Sequence, residues 1–182
     1  MKTCKIIVAT VFSIFISSLS WADSEAPLFP YVTTAEYGHF YFKMVPDPSY
    51  DTNKGSGTCF EVTEGEADKI LWQTTGWYSY QVYLSQDAEY LVRMGNWPRG
   101  HEVSAGHLAV AFYKKGNLLK SYSTKDLIKN PFAIKPTVSH YFWSSEAPVF
   151  KSSENQLIIV TEDKIEYTFD ITSGEILTQK KL

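Results

Sequence analysis

The chain has 182 residues, of which 44% are hydrophobic, 15% aromatic and 20% charged, and its formal net charge is −3. These proportions exclude a disordered, collagen-like or coiled-coil chain. The mildly acidic balance gives no electrostatic basis for binding nucleic acid or an anionic membrane surface.

Residues 1–22 predict a secretory signal. Lys2 and Lys5 supply a short basic start, Ile6 to Ile16 an apolar run of 11 residues, and Ser20 and Ala22 the small residues at −3 and −1 before Asp23. Eleven residues fall short of the roughly 20 that span a bilayer. The expectation is an exported protein, periplasmic or extracellular, without stable membrane insertion. Residues 23–182 then form a single domain with a net charge of −5, since Lys2 and Lys5 leave with the signal. Cys59 becomes the only cysteine, which precludes an intramolecular disulfide, and is read as a small buried residue on a strand.

The mature chain is rich in aromatic and β-branched residues and repeats one pattern three times. Phe40-Tyr41-Phe42-Lys43-Met44 aligns with Tyr90-Leu91-Val92-Arg93-Met94 at an offset of 50, and Gln156-Leu157-Ile158-Ile159-Val160 follows 66 residues later. Each run is preceded by a polar turn and followed by a hairpin with glycine at its reversal: Gly65, Gly116 and Gly174. The units lie at about 31–76, 80–122 and 148–180, each a small antiparallel sheet of three or four strands. Ser123-Thr124-Lys125-Asp126 predicts a capping box opening one short connecting helix, which Asn130-Pro131 stops.

Each unit resembles a β-propeller blade. Phe169 to Leu177 and Lys69 to Thr74 are similar to the outer hairpin of quinoprotein-type blades. Ser85-Gln86-Asp87-Ala88-Glu89-Tyr90-Leu91-Val92 resembles the S-x-D-G-x-Y-L entry to an inner strand, with Ala88 where glycine is usual. The stretch Leu84 to Trp143, with Lys125-Asp126-Leu127-Ile128 and Thr137-Val138-Ser139-His140-Tyr141-Phe142-Trp143, also resembles uncharacterised exported bacterial proteins with such blade-like repeats. The resemblance covers the last two thirds of the chain and implies a fold without a chemistry. Rings close with four to eight blades. Three units therefore predict an all-β open partial propeller or a sandwich, with the short helix capping a cut edge.

Between repeated strand and hairpin, the first two units carry long polar loops, 46–57 and 95–107. Equivalent units would bring these loops to one end. Trp97 offers a flat apolar surface and Arg99 a planar cation, which Asp47 and Asp51 are placed to oppose; Tyr50 and His101 complete the candidate set. The mixture predicts a non-enzymatic module that binds a protein or glycan, with no cofactor. Two alternatives stand beside it: a metal-assisted hydrolase using His101, Glu102 and His107, with His140 as a fourth ligand, and a structural module assembling through open sheet edges. The spacing H-E-x4-H departs from the H-E-x-x-H of zincins. No G-x-S-x-G elbow, P-loop or G-x-G-x-x-G motif occurs. Glu162 and Asp163 are expected to be solvated turn acids, and the aromatic stretch Trp77 to Tyr83 to pack mainly inward.

Overall fold

The computed structural model describes residues 25–49, 54–65 and 67–182. The predicted signal segment, Tyr50 and Asp51 lie outside the described residues. Each repeat forms a four-stranded antiparallel meander. The first comprises β1 (Tyr31–Thr34), β2 (Phe40–Pro46), β3 (Gly55–Glu61) and β4 (Lys69–Thr75), paired in that order. The second comprises β5 (Val82–Leu84), β6 (Tyr90–Met94), β7 (Leu108–Lys114) and β8 (Asn117–Ser123). Between the second and third units come α1 (Thr124–Leu127) and a hairpin of β9 (Lys135–Pro136) with β10 (Tyr141–Phe142). The third unit comprises β11 (Val149–Lys151), β12 (Gln156–Val160), β13 (Ile165–Asp170) and β14 (Ile176–Lys181).

The turn into the second strand shows why the repeats share a shape. Gly38, Ala88 and Asn155 all adopt positive φ, at 72°, 57° and 54°. Backbone bonds close the first two turns identically: Gly38 N to Ala35 O and Ala88 N to Ser85 O, both 3.0 Å. Ala88 thus holds the left-handed conformation that the blade pattern gives to glycine.

Alternation along the middle unit feeds two cores. Leu91, Ala111 and Tyr113 pack with Phe42, Met44, Cys59, Trp72 and Trp77 of the first unit. Val92, Met94, Val110 and Phe112 pack with Leu157, Ile159, Tyr167 and Phe169 of the third. A period of two presents successive residues to opposite faces, so one sheet is buried on both sides. The rings are large: Trp77 lies 5.3 Å from Tyr113, and Phe112 5.3 Å from Phe169. Each fully buried aromatic contributes about 2–3 kcal/mol, which suits a fold whose only described cysteine, Cys59, is free.

Among the described residues no hydrophobic cluster joins the third unit to the first. The molecule is therefore an open, three-bladed partial propeller rather than a sandwich. The predicted capping box is present: Ser123 Oγ accepts from Asp126 N at 3.2 Å, and Asp126 Oδ2 accepts from Ser123 N at 2.8 Å. The helix does not cap a cut edge as expected. Leu127 and Ile128 are buried in the core between the second and third units, and Tyr167 donates to Leu127 O at 2.7 Å.

Candidate binding face

In a meander, links between second and third strands emerge at the same end as links between units. Loops 46–57 and 95–107 therefore share an end with segments 76–81 and 124–148. The segment 76–81 stands between the two loops. A Cβ on Gly55 would lie 3.1 Å from the Cβ of Tyr78. On the other side Asn96 donates to Tyr78 O at 3.0 Å and accepts from Tyr80 N at 3.2 Å.

Loop 95–107 leaves β6 at a point of close contact. A Cβ on Gly95 would stand 1.7 Å from Leu108 O, while Gly95 N donates to Ala109 O at 2.9 Å. Only glycine fits there. The loop then passes beside the β9–β10 hairpin and joins it through an isolated bridge. Arg99 bridges to His140, Gly100 N donates to Ser139 O at 2.9 Å, and a ring nitrogen of His101 meets Val138 O at 3.3 Å.

Two buried acids, the pair expected in solvent, anchor that hairpin. Glu162 pairs with Lys135 at 2.8 Å. Asp163 accepts from Lys129 N at 2.8 Å, Asn130 N at 2.9 Å and the Thr161 hydroxyl at 2.5 Å. Burial pushes the Asp163 pKa up, but these donors outweigh it and hold the carboxyl below its usual range.

Trp97 is the hub. Its ring meets His140 edge-on with centroids 4.0 Å apart, and His140 in turn meets Phe142 at 4.9 Å. On one side of Trp97 opens a mostly apolar groove of about 610 Å³, walled by Phe29, Tyr80, Trp97, Phe142 and Trp143. Trp97 also lines a second cavity of about 350 Å³, with Arg93, Asn96, Arg99 and His107 in its wall.

The remaining predicted residues divide. Arg99 is exposed at the rim, but its counter-charge is Glu25 at 2.8 Å, from the segment before β1. Asp47 does not oppose it: that carboxylate accepts from Ser49 N at 2.8 Å and Ser49 Oγ at 2.5 Å. Those bonds hold the Asp47 pKa below its ordinary value. The residues of the metal alternative make separate contacts. His107 Nδ1 meets Tyr141 Oη at 3.0 Å, and that hydroxyl meets Thr124 Oγ1 at 2.6 Å, whereas His101 turns to Val138 and Glu102 is exposed. No group of three His, Cys, Asp or Glu suited to a metal occurs among the described residues. Phe29 and Arg93 are not among the candidate residues the sequence singles out, and His140 enters there only as a metal ligand. The Tyr141-Phe142-Trp143 run was its one visible trace.

Strand order and loop placement define a blade-repeat fold whose loops 46–57 and 95–107 share one end. No family model matches the chain, and no curated protein matches it. Among solved structures it is similar to the β-propeller domain of Myceliophteria thermophila Cps50 (Swd1), with 13% identity and a TM-score of 0.33. The match covers 87% of this chain, which spans only 59% of that one. The fold is established by the strand order within each sheet, not by this likeness.

Proposed function

We propose that the protein is an exported, non-enzymatic interaction module that seats a polypeptide partner in the apolar groove beside Trp97. One observation carries this reading: Phe142 and Phe29 remain 51% and 49% exposed at the groove walls, at the end where the loops gather. Large apolar side chains grouped at a concave surface mark a contact site, and a rim cation such as Arg99 supplies orientation. The wall is apolar enough to favour a polypeptide over a glycan, which needs a denser set of polar groups.

Export rests on the basic, apolar and small-residue pattern of residues 1–22. N-terminal sequencing of the protein from its native envelope is expected to begin at Asp23. A photo-reactive amino acid at position 142 tests the face, with position 118 as control. Leu118 is 57% exposed but lies on β8, at the outer edge of the middle unit. Cross-links to a defined polypeptide at position 142 and not at 118 are the expected outcome. Equal yields at both positions would remove the groove from consideration.

A further inference from the structure

The second cavity lined by Trp97 holds more donors than the chain satisfies. Arg93 Nε and Trp97 Nε1 are both buried without a hydrogen-bond partner among the described residues, and both residues line this cavity. Buried donors are almost always paired, so two in residues that line one cavity point to an acceptor from outside.

Charge identifies the acceptor. The guanidinium of Arg93 lies 4.6 Å above the ring of Trp77 and forms no ion pair among the described residues. An aromatic face attracts a cation but does not neutralise it. Arg99 and Glu25, both at this cavity, compensate each other. One positive charge is left over, beside two N–H groups that only donate. A carboxylate fits: one negative charge, two acceptor oxygens and no donor.

We propose that this cavity binds a carboxylate of the partner while an adjoining apolar side chain occupies the neighbouring groove, whose wall Trp97 shares. The inference rests on the proposed partner-binding face and names the chemistry read there. Trp97 lines both cavities. The ligand class is an acidic or C-terminal carboxylate next to an apolar residue.

The probes are N-acetyl-L-phenylalanine, its amide and acetate, titrated into the folded protein and followed by calorimetry and tryptophan fluorescence. The acid is expected to bind at least about tenfold more tightly than the amide, and more tightly than acetate. Trp97→Phe deletes the N–H together with part of the ring, and Arg93→Gln removes the charge. Each is expected to weaken the acid about five- to tenfold and to narrow its preference over the amide. Circular dichroism checks both folds, and Trp97→Phe carries the test if Arg93→Gln unfolds. Equal affinity for acid and amide, or no saturable binding of the acid up to about 20 mM, would overturn the carboxylate site. Acetate matching the acid would overturn a partner in favour of a free small anion. Cross-linking at position 142 reports on the groove independently, so a lost acid preference with intact cross-linking rejects this inference alone.

Discussion

The indole of Trp97 stands edge-on against the imidazole of His140, their centroids 4.0 Å apart at 69°. This contact locks loop 95–107 to the hairpin between the second and third units. Trp97→Ala is expected to lower stability by about 1–3 kcal/mol, combining a half-buried ring with an aromatic pair. It should also expose the hairpin amides at 135–142 to faster hydrogen exchange. Urea denaturation and exchange together check this; an unchanged midpoint would mean that the hairpin is held without the indole contact.

Gly95 allows no side chain. Its added methyl would collide with backbone rather than with a yielding side chain. Gly95→Ala is expected to cost about 2 kcal/mol or more and to shift the indole environment of Trp97, visible in near-ultraviolet dichroism. Gly106, whose Cβ would meet only Ser104 Oγ at 3.5 Å, is the tolerant control.

Asp163 gives the fold an acid-sensitive tie. Its folded pKa lies below the ordinary value of 3.8, so the ionised form stabilises the native state at neutral pH. That contribution is full above the unfolded pKa, near about 4, and is lost as the pH falls through the folded value. Asp163→Asn should lose about 2 kcal/mol at pH 7. The gap to the parent should narrow below about pH 4. A gap independent of pH would assign the role to shape rather than charge.

Burial pushes the Cys59 thiol up to about 12, only partly offset by a backbone bond from Phe60. A raised value favours the native state below the unfolded pKa of about 8.5 and removes that advantage as pH climbs above it. At pH 8 the folded protein should react with Ellman's reagent only through opening, about a thousandfold more slowly than the unfolded chain. Rapid labelling of the native protein would contradict the buried placement.

What the sequence disclosed was local. The offset of 50 between Phe40 and Tyr90 located equivalent second strands, and Ser123 with Asp126 announced the helix start because a cap is written within four residues. The face itself was harder to read, because its partners lie far apart in the chain. Glu25 reaches Arg99 across 74 residues, and Asp163 reaches Lys129 across 34. Asp163 therefore passed for a solvated turn acid. The repeated cation is the sharper case. Lys43 and Arg93 occupy matching positions, yet Lys43 is exposed while Arg93 lies over Trp77. Both belong to the face turned toward the preceding unit, and only the second unit has one.

The alternation along β6 and β7 has a mechanical consequence. Among the described residues, the packed side chains that lead from Cys59 to Tyr167 run through the middle sheet, whose neighbouring side chains serve separate interiors. Cooperativity is thus strung in series, with the second unit as hinge pin and the outer two as leaves. Because ring closure never fixes their number, the leaves are the parts a lineage could replicate or discard while keeping the pin.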